Sequence, residues 1–154
     1  MIRCAEPADV AGLATLLRSL PDALPRFGLE PSETTAKRVS EALVSHTPHT
    51  VLVAEDAGRI TGFIHTHWQP SLLHSGGEGF VSALFVHSEY RGRGLGRTLL
   101  ESVQAEGRRR GCSRLLLLNM RHRPSYERGF YLKQGWRERP EAANFVYDLR
   151  GERR

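Results

Sequence analysis

The sequence predicts an α/β fold, one mixed sheet with helices packed on its faces. Three observations predict it. Apolar, strand-like runs alternate along the chain with segments whose apolar residues recur at helical spacing. Residues 50–68 read as a hairpin, with Asp56-Ala57-Gly58 as the turn. An apolar run, Phe80 to Val86, leads through a glycine-rich turn directly into an amphipathic helix. With 154 residues, 40% hydrophobic and 25% charged, the chain has the size and composition of one domain with its own core, and a single domain over 1–154 is expected.

The elements follow in order. Ile2-Arg3-Cys4-Ala5 is a short strand, and Asp9 precedes a helix carrying Val10, Leu13, Leu16, Leu17 and Leu20 on one face before Pro21. Pro21, Pro25, Gly28 and Pro31 punctuate a loop, after which Ser32 caps a second helix bearing Val39, Leu43 and Val44. Thr50 to Glu55 and Arg59 to Trp68 are the hairpin strands. Gln69 to Gly79, with Pro70 and three glycines, reads as a mobile connection to the central strand Phe80–Val86. Leu95, Leu99, Val103 and Ala105 line a helix that carries Arg108-Arg109-Arg110 at its negative end and stops at Gly111. Leu115 to Leu118 reads as a buried strand, Pro124 and Ser125 open a helix ending near Gln134, and Asn144 to Leu149 is expected to close the sheet.

Composition narrows the function classes. No apolar stretch approaches the roughly 20 residues that cross a bilayer, and MIRCAEPADV lacks the pattern of a signal peptide, so a soluble, cytoplasmic protein with no membrane partner is expected. Cys4 and Cys112 have neither CxxC spacing nor a disulfide framework and read as structural thiols in a reducing compartment. A formal charge of +5 favours an anionic ligand without choosing among nucleic acid, a phosphorylated cofactor and an acidic surface.

The turn Arg91-Gly92-Arg93-Gly94-Leu95-Gly96-Arg97 is the most informative unit. Glycines let backbone approach a ligand without side-chain obstruction, and the first amides of the following helix point N–H groups beyond its positive end, where a pyrophosphate fits. A glycine-rich loop with no ligand is the plainer reading of such a cluster taken alone. No Gly-Lys-Ser/Thr follows, which excludes a Walker loop, and Leu99 stands where the dinucleotide fingerprint needs its third glycine.

On these residues the sequence resembles the GNAT superfamily of N-acetyltransferases, whose Arg/Gln-x-x-Gly-x-Gly/Ala motif is matched by Arg91, Gly94 and Gly96. Ile2-Arg3 with Asp9 is similar to the family's opening, Val53-Ala54-Glu55 through Gly62 to its hairpin, and Phe130-Tyr131 with Gly135-Trp136 to its later signature. The resemblance implies a mostly antiparallel sheet, splayed between the Phe80–Val86 and Leu115–Asn119 strands and flanked by about four helices. It implies acetyl-CoA as acetyl donor, its pantetheine against backbone groups of Leu84, Phe85 and Val86, and its pyrophosphate on amides of Arg91, Gly92, Arg93, Gly94, Leu95, Gly96 and Arg97. Asn119 would contact pantetheine or hold a water, or equally cap the strand's exit. Tyr131 falls on the tyrosine that protonates the departing thiolate, and a homodimer is compatible with the resemblance.

Direct attack by an amine also needs a route for the amine's proton. Ser82 stands where many relatives carry an acid, so Glu78 is the first substitute, followed by Glu55, His65 and His67, and a water chain is a further route. Pro124 stands where relatives often have asparagine. His65-Thr66-His67 sets two imidazoles on one side of a strand, but two histidines do not complete a site and no acidic or cysteine ligand has suitable spacing, so no metal is expected. Arg108-Arg109-Arg110 and Arg121-His122-Arg123 read as solvated charge, or as contacts for the distal phosphate or an acidic partner; without interleaved aromatics, nucleic acid is not expected. The reading is an acetyl-CoA-dependent N-acetyltransferase acting on a small-molecule or peptide amine. Its rivals are a regulatory acyl-CoA-binding module without catalysis, which the missing acid at Ser82 fits and Tyr131 argues against, and a basic nucleic-acid-binding domain.

Overall fold

The computed structural model describes residues 1–19, 48–147 and 149. The chain divides into two compact units, Met1–Leu118 and Asn119–Arg154. In the first unit, Ile2–Cys4 (β1), His49–Asp56 (β2), Arg59–Gln69 (β3), Glu78–Val86 (β4) and Arg114–Leu117 (β5) form a five-stranded sheet in the order β1-β2-β3-β4-β5. The first three pairings are antiparallel and the β4–β5 pairing is parallel, so the sheet is mixed and mostly antiparallel. Helices Val10–Arg18 (α1) and Leu95–Arg109 (α2) belong to the same unit. Among the described residues no helix is long and apolar enough to cross a membrane.

Each face of the sheet buries a helix. Leu13 and Leu16 of α1 are buried with Val53, Ile60 and Phe63, and Ala83 and Phe85 of β4 pack against that cluster. The entry to α1 is fixed electrostatically: the Glu6 amide donates to Asp9 Oδ2 (2.8 Å), and Arg3 donates to both Asp9 oxygens (2.7 and 2.8 Å) and to Glu55 Oε2 (2.8 and 2.9 Å). This ties β1, the start of α1 and the end of β2 together. The apolar spacing of α2 buries Leu99, Leu100 and Val103, and Leu99 Cδ1 would lie 3.4 Å from a Cβ placed on Gly62 of β3. Leu99→Ala, at a side chain with no exposed surface, is expected to cost about 2–5 kcal/mol in urea unfolding, the range for a buried leucine whose cavity stays partly open.

Strand register departs from the sequence reading. β3 runs to Gln69 and β4 begins at Glu78, and these two residues pair, so the connection expected over Gln69–Gly79 shrinks to residues 70–77. The second predicted helix and the proline loop before it lie outside the described residues.

In the second unit, the helix expected from Pro124 to near Gln134 is two short ones, Pro124–Glu127 (α3) and Phe130–Lys133 (α4). Gly129 separates them at φ 62°, a left-handed angle that ends a right-handed helix. Among the described residues of the closing strand expected over Asn144–Leu149 there is no strand: residues 144–147 have no strand pairing, and Phe145 and Tyr147 are exposed. Alternation at Phe145, Tyr147 and Leu149 resembles a half-buried strand, but a strand needs a partner edge, and the charged, proline-containing run of residues 137–141 forms none.

Candidate functional site

The glycine turn sits directly past the end of β4. After Val86, the His87 amide donates to Thr61 O (2.8 Å), Ser88–Tyr90 makes a 3-10 turn, and the backbone is extended again at Arg91. Gly92 (φ 74°) and Gly94 (φ 81°) are both left-handed, which L side chains avoid, and a Cβ at either would meet nothing within 4 Å. The turn therefore presents an open backbone surface. The first bond of the α2 ladder runs from the Thr98 amide to Gly94 O (3.0 Å). The amides of Leu95, Gly96 and Arg97 precede that ladder at the helix's positive end, the geometry that receives an anionic phosphate.

The arginines of the turn have local duties. Arg91 donates through Nε to Val86 O (3.0 Å), tying the end of β4 to the turn. Arg93 lies over the Tyr90 ring, 5.4 Å from its centroid, and Arg97 pairs with Glu101 one helical turn on (2.8 Å). Of the three consecutive arginines at the other end of α2, Arg109 and Arg110 both bond Glu106.

Beside the turn the sheet parts. β5 pairs with β4 only from Glu78 to Val81, and Ser82–Val86 continue along β3 with no β5 partner. The parting begins at a bulge. His65 stands opposite Ala83 and Thr66 opposite Val81, which leaves Ser82 as an extra residue, its hydroxyl donating to His65 O (3.3 Å). A bulge bends its strand, here at the position where β5 stops pairing. Leu84, Phe85 and Val86, the residues expected along pantetheine, lie on this half-buried stretch, which pairs with β3 on one side and not with β5 on the other.

The two carboxylate candidates for proton acceptor in this unit are engaged. Glu78 is buried at the start of β4, accepting from Arg114 Nε (2.7 Å) and Gln69 Nε2 (3.0 Å), and the Arg114 hydrogen bond foremost holds its carboxyl below the usual range. Arg114, which sequence reasoning did not single out, makes Glu78 a clamp between β4 and β5. Glu55 is held by Arg3. His65 and His67 share the face of the sheet that carries Phe63, and register adds a third imidazole, His49, directly opposite His67.

In the second unit, Tyr131 lies in α4, edge-on to Phe130 and Trp136, with ring centroids 5.0 and 6.1 Å away. Burial raises its phenol pKa, against smaller opposing effects of Arg123 and Arg128. The hydroxyl therefore stays protonated at neutral pH. Asn119 accepts from the Ser125 hydroxyl (3.1 Å) through Oδ1, bracing the turn that leads into α3, and Pro124 occupies the first position of that helix.

At the start of α2 the open glycine backbone thus stands beside the half of β4 that pairs with β3 and not with β5. Residues 14–136 match the acetyltransferase (GNAT) family, and the chain belongs to it. It is 29% identical to glucosamine 6-phosphate N-acetyltransferase of Trypanosoma brucei brucei over 88% of each chain. It is 30% identical to aminoglycoside N(6')-acetyltransferase type 1 of Stenotrophomonas maltophilia, over 74% of this chain and 71% of that protein. A solved acetyltransferase structure from Trypanosoma brucei superposes with a TM-score of 0.72 at 26% identity, covering 97% of this chain and 99% of that one. The chain is thus an acetyltransferase with the splayed, mixed sheet of its family.

Proposed function

We propose that the chain transfers the acetyl group of acetyl-CoA to the amine of a small molecule, with an amino sugar as the first class to test. The observation that carries the reading is the pair of left-handed glycines whose open side faces away from the fold, immediately before the amides of Leu95, Gly96 and Arg97. In this reading those amides, with the backbone of Arg91, Gly92, Arg93 and Gly94, hold the pyrophosphate, and backbone groups of Leu84 and Phe85 pair with the pantetheine arm as an added strand does. Val86 contributes its backbone in the same way, its carbonyl keeping one lone pair beside the bond from Arg91. Acetyl-CoA supplies the activated thioester. Tyr131, protonated at neutral pH, gives its proton to the thiolate, and Asn119 positions the chain leading to it.

Glu78 keeps a candidate role as acceptor of the amine's proton, but its ion pair supports a structural duty more strongly. A carboxylate with a lowered pKa is a weak base. Its contribution to stability is present above the ordinary carboxylate range and lost as pH falls through its lower folded value. Glu78→Gln is therefore expected to lower the melting temperature at neutral pH, with the gap to wild type closing in strong acid. A fall in kcat with an unchanged melting temperature would instead make Glu78 the base.

The two relatives named above are called for an amino-sugar phosphate and an aminoglycoside, and the net charge of +5 favours the anionic of these two classes over the polycationic one. Two free thiols, Cys4 and Cys112, support a reducing, cytoplasmic compartment. The test is CoA thiol release from acetyl-CoA with glucosamine 6-phosphate, aminoglycosides and peptide amines in parallel. Turnover is expected with the sugar phosphate first. Binding of acetyl-CoA without turnover on any amine would favour a regulatory acyl-CoA-binding module, and no binding would sink the proposal.

A further inference from the structure

The face of the sheet beyond the α1 core carries three histidines from two strands. His65 and His67, two residues apart on β3, point to the same side, and His49 of β2 pairs directly with His67. Their ring centroids are 4.3 Å (His65–His67), 5.2 Å (His49–His65) and 6.2 Å (His49–His67) apart, and one ring nitrogen from each lies within 4.8 Å of the other two.

The grouping depends on one irregularity. Next to the turn, Asp56 stands opposite Arg59; carried unchanged along the hairpin, that register would set His49 opposite Thr66, on the other face from His65 and His67. Between Ala54 and Glu55 the register shifts by one, with Thr61 as the extra residue, its hydroxyl donating to Ala54 O (3.1 Å). The shift brings His49 onto the histidine face.

One further observation points to a ligand. His65 Nε2 is buried with no hydrogen-bond partner, an arrangement that folded proteins avoid unless something else satisfies the atom. Burial, and then the charges of His67 and His49, push the His65 imidazole down to about 4, and burial lowers that of His67 as well. At neutral pH both rings are uncharged and keep a lone pair for a Lewis acid.

We propose that His49, His65 and His67 bind one divalent transition-metal ion of the zinc class, with the fourth position left to water. Three imidazoles without a carboxylate suit a borderline ion such as zinc, copper or nickel, and not magnesium or calcium, which require oxygen ligands. Nitrogens on a tetrahedral zinc stand about 3.4 Å apart, so side-chain rotations on the order of 1 Å close the set. The ion would staple β2 to β3 on the face opposite α2. Metal uptake is read without acetyl-CoA or an amine, so its test does not depend on the acetyl-transfer reading.

The experiment uses full-length protein stripped with a chelator and dialysed, then titrated with zinc by calorimetry and with cobalt by visible absorption. One-to-one uptake with a micromolar or tighter Kd is expected, together with the visible bands of nitrogen-ligated cobalt of low coordination number. His65→Ala/His67→Ala is expected to weaken zinc binding by on the order of 100-fold, while His122→Ala leaves it unchanged. His67 is exposed, so the single variant His67→Gln provides a folded comparison should the double variant misfold, and is expected to weaken binding on the order of 10-fold. Absence of one-to-one uptake, or uptake by His67→Gln equal to wild type, would overturn the site.

Discussion

Gly94→Val is expected to weaken acetyl-CoA binding by roughly 100-fold while leaving the protein folded. Gly94 holds φ 81° immediately before α2, an angle that costs an L-residue about 1–2 kcal/mol and a β-branched one more. A side chain there meets nothing within 4 Å, so the fold offers no clash; the added atoms project into the space assigned to the pyrophosphate, and the backbone relaxes away from the angle that aims the α2 amides. Losing two amide–phosphate bonds at about 1.5 kcal/mol each corresponds to about 100-fold in Kd. Gly58→Val is the matched control: Gly58 has nearly the same angle, φ 78°, and also opens onto nothing within 4 Å, but lies in the β2–β3 turn. It is expected to cost comparable stability with no change in calorimetric acetyl-CoA affinity. Equal affinity for wild type and Gly94→Val would remove the cradle from the mechanism.

Tyr131→Phe is expected to lower kcat by about 100-fold or more, within the range general acid catalysis contributes, with little change in KM for acetyl-CoA. The ring contacts with Phe130 and Trp136 survive the change, so the loss is confined to the hydroxyl. Burial keeps the phenol protonated through the neutral range. The wild-type rate should therefore fall only in strongly alkaline solution, and the variant should lose that alkaline limb. Full turnover by the phenylalanine variant on an accepted amine would show that water or another group protonates the thiolate.

Legibility in the sequence followed the range of the interactions. The hairpin, the central strand and the glycine turn were readable because turn chemistry and apolar period act within a few residues: Asp56-Ala57-Gly58 and Gly92 to Gly94 stand where the turns are. Partners far apart in the chain were not readable. Nothing local announces that Arg114 takes Glu78, that Arg91 reaches back to Val86 O, or that a one-residue shift at Thr61 sets His49 beside His67. Periodicity misled where it lacked a neighbour, at Phe145 and Tyr147, and a single left-handed glycine, Gly129, divided what read as one helix.

The short seam between β4 and β5 has a consequence for the protein's lifetime. Ser82–Val86 offer backbone groups that β5 does not meet, and a bare strand edge invites pairing with other chains and attack by proteases. If a pantetheine arm lies along that edge, acetyl-CoA acts as a removable sixth strand, and mass action makes the folded fraction rise with its concentration. Slowed amide exchange at residues 82–86 and slower proteolysis on adding acetyl-CoA would mark a protein whose persistence tracks the supply of its own donor.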